Sequence, residues 1–562
     1  MSNKLYPTIP APKVPRNTFN RSRYNSLTLP FQRVVPVALE EIIPGDKYFW
    51  NPEIFARLQP LQAPVMTDMR LSVHAFYVPL RTINKHFAEF MFNNRQGNYT
   101  DVLPYVTLGD LYSLLNYFNQ SSSNYPNFCE CIRLYDYIGL PFIYKSNTSA
   151  AAFFSAWLTD NSALSSSSIR VNLAPFFAYQ KIWSEYFRDE NLVTDPFQDF
   201  EDSGYGNPFE WTGYQDVSSW SASKKLSFIL NFLRLRPRAW QHDRFTSALP
   251  FAQRGPDVLL PITGVADVVS ATDYEGNIEG NVVFTKNPDS QSGTLSVDTG
   301  SPSVQGNIGQ FVDFDDAELT TTINDFRRAE RLQRWYENSA RGGVRPNEAT
   351  LAHFGVRTND ATLDRAEFLG GTKQPIVISE VAQTSQTTST SPQGTLAGKG
   401  TSYNSAFLFK RFFTEHGFVF VFASALIRPA YFQGLPRVFS RMQRDEYYWP
   451  EFALLGEEPV FDKELFVDGS TSEDGVFGYV PRYSDYKSSL PECHGDFRSS
   501  LAFWANPRVF ANQPQLSEEF IFGDPQKLMF AVQSNFTDSL LLTIRHNVKA
   551  SRLMPFYGVP TI

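Results

Sequence analysis

Apolar and polar residues alternate over several short stretches of the chain, and this alternation predicts β-strands. In residues 69–78 the alternate positions from Leu71 to Tyr77 are apolar and share one face. Residues 406–427 hold two apolar runs of strand length separated by polar positions, and residues 540–548 form a further candidate.

Two segments have the spacing of amphipathic helices. Residues 175–191 begin with a proline at a first-turn position and repeat apolar residues at intervals of three and four. Residues 323–341 carry apolar residues on one face and arginines on another. Polar stretches with many turn-forming residues separate the elements at 161–168, 199–223, 263–320 and 383–403. The pattern predicts a mainly β protein with long insertions and a few helices.

The composition points to an unusually large amount of apolar surface. Charged residues make up 19% and aromatic residues 15% of the 562 positions, so the chain has a very large core or buries surface against other chains. Three cysteines exclude a disulfide scaffold, and the first residues contain no apolar run of the kind found in signal peptides. The longest apolar run, 418–427, has about half the length of a membrane helix. We therefore expect a soluble protein from a reducing compartment, with no membrane insertion.

The acidic residues are concentrated in one segment. Residues 263–320 contain ten acidic residues and a single lysine, together with many Gly, Ser, Asn and Thr residues. This composition predicts short strands and turns on a solvated surface. The acidic residues that we expect on a surface protrusion are Asp267, Asp273, Glu275, Glu279, Asp289 and Asp298.

Both ends of the chain are basic. No acidic residue precedes Glu40 or follows Asp538. Prolines at positions 7, 10, 12 and 15 exclude a helix, so we predict an extended basic arm over residues 1–25. The basic residues that we expect to face a polyanion are Lys4, Lys13, Arg16, Arg21, Arg23, Arg33, Arg545, Lys549 and Arg552. The alternative is that these residues belong to ordinary charged and frayed termini.

No motif predicts an active site, a cofactor or a metal. Residues 394–401 (GTLAGKGT) resemble a phosphate-binding loop, but three residues rather than four separate the first two glycines, and glycine follows the lysine. Cys129 and Cys131 could join Cys493 and His494 around zinc, but the C-x-C spacing is short, so ordinary buried thiols are favoured. The sequence contains neither H-E-x-x-H nor G-x-S-x-G. We therefore expect a protein that is not an enzyme.

A series of short motifs, in this order, resembles the major capsid proteins of the Microviridae, the small icosahedral single-stranded DNA phages, and in particular the gokushovirus branch. The motifs are 37–46 (VALEEIIPGD), 57–64 (RLQPLQAP), 74–81 (HAFYVPLR), 134–141 (LYDYIGLP), 178–192 (AYQKIWSEYFRDENL), 243–255 (DRFTSALPFAQRG), 339–343 (SARGG), 353–356 (HFGV), 367–371 (EFLGG), 391–398 (SPQGTLAG), 413–418 (FTEHGF), 447–450 (YYWP), 478–487 (GYVPRYSDYK), 495–498 (GDFR) and 554–560 (MPFYGVP). Each motif is weak alone, and their joint order is specific.

The resemblance implies a fold and a function. It implies an eight-stranded antiparallel jelly-roll barrel with long inter-strand insertions over residues 26–562, with residues 263–320 as a variable surface insertion. It implies a virion protein, made and assembled in the host cytoplasm, whose copies close into a T=1 icosahedral shell around circular single-stranded DNA. The partners it implies are further copies of the chain, the packaged DNA, a small basic internal DNA-binding protein, a minor pilot protein and a host cell-surface receptor.

Two questions remain open at the level of sequence. Tyr447, Tyr448 and Trp449 are expected at a subunit interface, because they are too bulky and clustered for a free loop; the alternative is that they fill the core. A carbohydrate-binding or carbohydrate-degrading β protein is the alternative function, with aromatic residues stacking on sugars. Such a protein would not need an acid-free basic arm.

Overall fold

The computed structural model describes residues 15–92, 102–119, 125–141, 156–258, 268–272, 278–286, 293–298, 309–312, 323–382, 396–534 and 537–557. The chain forms two compact units. The first contains Met1–Ala252 and Gly342–Ile562, and the second contains Gln253–Arg341.

The strands of both units are numbered together in chain order. They are β1 (Asn17–Asn20), β2 (Arg23–Leu29), β3 (Val35–Ile42), β4 (Lys47–Leu58), β5 (Met69–Pro79), β6 (Tyr105–Thr107), β7 (Arg170–Asn172), β8 (Val268–Thr272), β9 (Ile278–Lys286), β10 (Gly293–Asp298), β11 (Gly309–Val312), β12 (Glu367–Pro375), β13 (Val377–Ala382), β14 (Leu396–Ser405), β15 (Phe409–Phe412), β16 (Gly417–Ile427), β17 (Glu457–Phe461), β18 (Val476–Pro481) and β19 (Leu540–Arg552).

The helices lie mostly in the insertions between strands. They are α1 (Phe87–Phe92), α2 (Leu108–Asn119), α3 (Tyr125–Ile138), α4 (Ala174–Tyr186), α5 (Pro196–Phe200), α6 (Ala222–Phe228), α7 (Ile323–Gly342), α8 (Pro346–Phe354), α9 (Ser484–Lys487), α10 (Ala502–Ala505) and α11 (Glu518–Phe522). No helix of the described ranges is long and apolar enough to cross a membrane.

Eight strands have the order of a jelly roll. In the large, seven-stranded sheet, β2, β19, β4 and β14 are hydrogen-bonded in that order, with β1, β13 and β15 as additional strands. The small sheet has the order β12-β5-β16-β3, and all its pairs are antiparallel. The chain crosses between the two sheets as in the two Greek keys of a jelly roll. The predicted eight-stranded jelly roll is confirmed, and its sheets form a sandwich that stays open at the edges, with no strand ladder joining them among the described strands.

The core lies between the two sheets because alternate residues of each strand point inward. On β19, Leu540, Leu542 and Ile544 are buried, while the residues between them are exposed. Phe413 joins the sheets: its ring centroid lies 6.1 Å from Tyr48 of β4 and 4.7 Å from Tyr77 of β5.

Helix α4 covers the other face of the small sheet. The ring of Tyr179 lies 5.7 Å from Phe422 of β16, and that of Tyr186 lies 4.7 Å from Phe76 of β5. The small sheet is therefore buried on both faces, which explains why β16 is an almost continuous apolar run.

The elements read from the sequence agree well with the structure. The strand predicted over 69–78 is β5, and the two apolar runs of 406–427 are β15 and β16. The second predicted helix is α7, and the first is α4, which ends at Tyr186 rather than at 191. The Asp189 carboxylate accepts hydrogen bonds from the backbone N–H groups of Asn191 and Leu192, and this turn replaces the last predicted helical turn.

The second unit contains its own small antiparallel sheet. Its four strands have the order β10-β9-β8-β11, and all of them come from the acidic segment 263–320. Helix α7 follows them in the chain.

Candidate functional site

The described part of the predicted basic arm belongs to the large sheet. From Asn17 onward the chain pairs with β19, first through β1 and then through β2. This segment is extended, as predicted, but both its strands are hydrogen-bonded at the sheet edge. Lys4 and Lys13 lie outside the described residues.

Two of the arginines at the start of the chain neutralise one buried carboxylate. Glu40 of β3 is almost fully buried, and the guanidinium of Arg21 lies 2.7 Å from it. Arg23 forms an ion pair with the other oxygen of the same carboxylate. Because a buried carboxylate without a partner is costly, these arginines stabilise the junction of β2 and β3.

Arg33 and Arg552 are also held by carboxylates of the same chain. Arg33 forms ion pairs with Glu130 of α3 at 3.5 Å and with Asp524 at 2.5 Å. Arg552 pairs with the buried Asp46 at 3.2 Å. Only 14% of each of these two arginine side chains is exposed. Four of the nine predicted polyanion-facing residues are thus engaged in ion pairs within the fold.

Three of the predicted residues remain available at the surface. Arg16 is exposed and donates a hydrogen bond to the carbonyl of Ser551 at 3.2 Å. Arg545 and Lys549 lie at exposed positions of β19. Arg545 forms an ion pair with Glu53 of the neighbouring strand at 3.6 Å, and 48% of its side chain is exposed.

The outward positions of the large sheet bring these residues together with others into one surface, which we call the basic–aromatic face. Alternation on β1, β2, β19, β4, β14 and β15 decides which residues face outward. Strand register then aligns them in rows across the sheet. The basic–aromatic face comprises Tyr24, Lys47, Phe49, Glu53, Phe55, Arg57, Lys399, Tyr403, Lys410, Phe412, Arg545 and Lys549.

Cations and aromatic rings alternate within this face. Lys549 lies opposite Phe49, which lies opposite Lys410 on the other side. The face carries six basic residues, five aromatic residues and a single carboxylate, Glu53, among the outward strand positions that the structure describes. Tyr24 and Tyr403 are each 69% exposed, so their rings are open to a ligand.

The sequence analysis named Arg545 and Lys549 but missed the other ten of these residues, most of which lie far from the chain ends. The signal was present in β4, where the outward positions of KYFWNPEIFARL are alternately basic, aromatic and polar. Alternation alone does not say which face of a strand meets solvent. Only the pairing of β4 with β19 and β14 shows that these positions continue the surface of Arg545 and Lys549.

A second surface carries exposed apolar residues on the loop between β16 and β17. We call residues 435–455 the aromatic loop. Trp449 is 41% exposed and Leu454 is 94% exposed, and Tyr447 and Tyr448 are half exposed. The alternative that Tyr447, Tyr448 and Trp449 fill the core therefore does not hold. Further exposed apolar residues of the loop are Val438, Phe439, Met442 and Leu455.

The aromatic loop is held in place by a buried cluster of ion pairs. Arg244, almost fully buried, lies 2.9 Å from Glu464 and 3.6 Å from Asp485. Arg437 of the loop pairs with Glu464 at 3.5 Å, and Arg441 pairs with Asp485. Buried pairs of this kind specify one arrangement more than they add stability. The loop thus presents its apolar residues from a fixed base.

Most of the acidic surface residues cannot be placed. Asp267, Asp273, Glu275 and Asp289 lie outside the described residues. Glu279 belongs to β9 and Asp298 ends β10. The role of residues 263–320 as a surface protrusion stays a prediction.

The cysteines behave as ordinary buried thiols. Cys129, Cys131 and Cys493 are buried and form no disulfide in the described part of the chain, and Cys129 and Cys131 lie on α3. Within the described ranges, no group of three or more His, Cys, Asp or Glu side chains could hold a metal ion. Burial raises the pKa of Cys131.

The jelly roll is a fold of viral coat proteins and also of lectins, so the fold alone leaves both candidate classes open. The family model described as "Capsid protein (F protein)" matches residues 7–110 and 145–562, and the chain belongs to this family. It is a gokushovirus-type Microviridae major capsid protein, and its role is structural rather than enzymatic.

Relatives from three phages support the same conclusion. Capsid protein VP1 of Chlamydia phage 1 is 30% identical over 633 aligned positions, covering 100% of this chain and 98% of the relative. Capsid protein VP1 of Bdellovibrio phage phiMH2K is 30% identical, covering 98% of this chain and 96% of the relative. Capsid protein VP1 of Spiroplasma virus 4 is 31% identical, covering 70% of this chain and 73% of the relative. The capsid hypothesis therefore replaces the carbohydrate-active alternative.

Proposed function

We propose that copies of this chain form a T=1 icosahedral shell around circular single-stranded DNA, with the basic–aromatic face turned toward the DNA. The observation that carries this proposal is the composition of that face, with six basic residues, five aromatic residues and one carboxylate. Lysine and arginine neutralise phosphates, and aromatic rings stack on unpaired bases. Single-stranded DNA carries both phosphates and unpaired bases, so it can bind both kinds of residue on this face.

We expect the DNA-facing cations of the shell to neutralise only part of the phosphate charge of a packaged genome. Four of the predicted DNA-facing cations are paired inside the fold, and Glu53 offsets part of Arg545. We therefore keep a small basic internal DNA-binding protein as a partner, together with a minor pilot protein. Assembly with these partners would take place in the host cytoplasm.

The aromatic loop is the contact that we propose between neighbouring subunits. An exposed side chain such as Leu454 gains hydrophobic free energy only when a second surface covers it. Since the capsid role requires extensive contacts between copies, a second copy of this chain is the natural occupant. Residues 263–320 would then point outward and meet the host receptor, where their carboxylates stay solvated.

The test of the DNA-facing role removes four cations of the basic–aromatic face. In the variant Lys47→Gln, Arg57→Gln, Lys410→Gln and Lys549→Gln, we expect weaker binding of a single-stranded oligonucleotide and less packaged DNA per particle. The slope of log affinity against log salt should become shallower by about 3, since each single-strand phosphate contact contributes about 0.7. Affinity is measured by fluorescence anisotropy.

The matched control removes the same charge elsewhere. The variant Arg327→Gln, Arg328→Gln, Arg331→Gln and Lys487→Gln changes four exposed cations on α7 and α9. Its binding and salt slope should equal those of the unchanged chain. Equal losses in both variants would contradict a specific DNA face, and no loss in either would remove the role altogether.

The test of the subunit contact uses Leu454→Ser. Because this side chain is 94% exposed, its replacement should leave the folded subunit unchanged while reducing shell formation, measured by analytical ultracentrifugation. Phe354→Ser on α8 is the control, since Phe354 is 79% exposed and lies outside the aromatic loop. Normal shells from Leu454→Ser would place the subunit contact elsewhere.

A further inference from the structure

A cavity of about 510 Å³ lies on the covered face of the small sheet, near the end of α4. Three outward residues of β5, namely Arg70, Ser72 and His74, line it. Strand register places Lys373 of β12 opposite Ser72, and Arg238 closes the cavity from the segment after α6. A volume of this size is in the range of sites for small organic ligands. The cavity is separate from the basic–aromatic face, which belongs to the other sheet.

The charge of the cavity is positive and largely uncompensated. None of the described residues that line it is acidic. Arg70 has a partner, Asp68, at 2.7 Å, but in the described part of the chain no carboxylate lies within ion-pair distance of Arg238 or Lys373. Arg238 instead donates a hydrogen bond to the hydroxyl of Ser424. Two converging cations without counter-charges favour an anion between them.

Burial lowers the pKa values of two cavity residues, Arg238 and His74, but the cavity stays positively charged. The pKa of Arg238 falls to about 10, so this guanidinium stays charged at neutral pH. Burial, reinforced by Arg238 and Lys373, lowers the pKa of His74 to about 3. The imidazole of His74 is therefore neutral and adds a hydrogen-bonding ring rather than a further charge.

An aromatic wall stands beside the cations. The ring of Phe368 lies 5.4 Å from that of Phe76 and 6.1 Å from His74, so its position is fixed from behind. Phe368 is nevertheless 49% exposed, which leaves a ring surface without a partner at the cavity. The close fit of His74 over Gly371, where a Cβ atom would come within 2.6 Å of the ring, keeps this wall in register.

We propose that the cavity binds a nucleotide, with its phosphate between Arg238 and Lys373 and its base stacked on Phe368. The phosphate supplies the negative charge that the cavity lacks, and any of the bases can stack on the exposed ring. The same chemistry is offered by a free nucleotide and by one nucleotide of a DNA strand. A bare anion would use the cations but not the ring.

Calorimetric titration of the purified full chain at low salt tests this site with four probes: dAMP, inorganic phosphate, deoxyadenosine and a 5′-phosphorylated hexanucleotide. We expect dAMP to bind more tightly than either phosphate or deoxyadenosine. Hexanucleotide binding that Lys373→Gln weakens would identify a strand as the source, and dAMP binding without such hexanucleotide binding would identify a free nucleotide. Phosphate binding as tight as dAMP would overturn the stacking role, and no binding of dAMP would overturn the site.

Two variants assign the binding to this cavity. Lys373→Gln should weaken dAMP about tenfold, because one charged contact to the phosphate is lost, and Phe368→Leu should weaken dAMP but not phosphate. Lys373 is exposed on a strand, so its loss should not disturb folding. Lys487→Gln, an exposed lysine on α9 outside both the cavity and the basic–aromatic face, is the control and should bind dAMP normally. Unchanged dAMP affinity in Lys373→Gln and Phe368→Leu would place the nucleotide elsewhere.

Discussion

At the scale of single residues, identical side chains differ in function according to what lies beside them. Arg23 and Arg545 come from paired strands and are only one register position apart. Arg23 neutralises the buried Glu40, whereas Arg545 stands on the outer face of the sheet. The difference arises because the buried Glu40 of β3 pairs with Arg23 and not with Arg545. Glu40 is not a sequence neighbour of either arginine. A basic residue near a chain end is therefore a poor guide to a DNA contact.

His546 should make the stability of the subunit depend on pH. It is fully buried and accepts a hydrogen bond from the Trp50 indole at 3.3 Å. Burial, helped by the charge of Arg23, lowers the pKa of His546 to about 4 from its ordinary value of 6.5. Between pH 6.5 and 4, His546 is therefore protonated in the unfolded chain but neutral in the folded chain. Stability should fall as pH falls from 6.5 to 4, by up to about 3 kcal/mol from this residue.

The variant His546→Asn isolates this contribution, because Asn can still accept a hydrogen bond from Trp50 but does not titrate. Its urea-unfolding free energy should change less between pH 6.5 and 4 than that of the unchanged chain. His494→Asn is the control, since the His494 side chain is 70% exposed. A pH dependence in His546→Asn equal to that of the unchanged chain would show that other groups set it.

At the scale of elements, two strands can pack closely where one of them has a glycine, because glycine has no Cβ atom to hold the backbones apart. At Gly370, beside an irregularity in the pairing of β12 with β5, the backbone passes close to the carbonyl of Leu408, just before β15. A Cβ atom there would come within 2.1 Å of that oxygen. The approach brings an edge strand of the small sheet next to a strand of the large sheet.

Gly370→Ala should therefore lower the free energy of unfolding by about 1–3 kcal/mol, because a backbone oxygen cannot move aside as a flexible side chain can. Chemical denaturation of the unassembled subunit measures the change. Gly469→Ala is the matched control, since nothing lies within 4 Å of a Cβ atom at that position. Equal stability of the two variants would mean that the strands separate at little cost.

At the scale of the whole molecule, the acidic segment and the jelly roll belong to separate compact units. None of the eight jelly-roll strands comes from residues 253–341, and among the described strands β8 to β11 pair with each other and not with the jelly roll. We therefore expect the first unit to fold without the strands of the second. A segment of this kind can vary in sequence without disturbing the shell.

Replacing residues 265–316 with a short Gly-Ser linker should leave the subunits able to fold and to form shells with DNA inside. Attachment of the particles to host cells should be lost, as measured in a cell-binding assay. The same replacement of residues 437–455 in the aromatic loop should instead abolish shells, which electron microscopy would show. Shells of the first variant that attach normally would contradict the receptor role, and a failure to form shells would make the segment an assembly element.

The sequence predicted elements better than it predicted surfaces. β5 and β16 follow from local apolar patterns, because each buries one face or both against the core. The spacing also predicted α7, although Ala340 is its one buried residue among those that the structure describes. The basic–aromatic face does not follow from local patterns, since its residues come from five strands spread between Tyr24 and Lys549. Their alignment depends on strand pairs separated by hundreds of residues.

The sequence by itself determined the mainly β fold, the concentration of acidic residues in one segment and the excess of aromatic residues. These are properties of composition and short-range spacing, so they can be read from the sequence without knowing which residues are in contact. Only the tertiary structure decided which cations remain free. Arg33 meets Asp524 and Arg552 meets Asp46 because the sheets bring distant strands and loops together. A charge acts on a ligand only where no such partner neutralises it, and partners of that kind are a property of the fold.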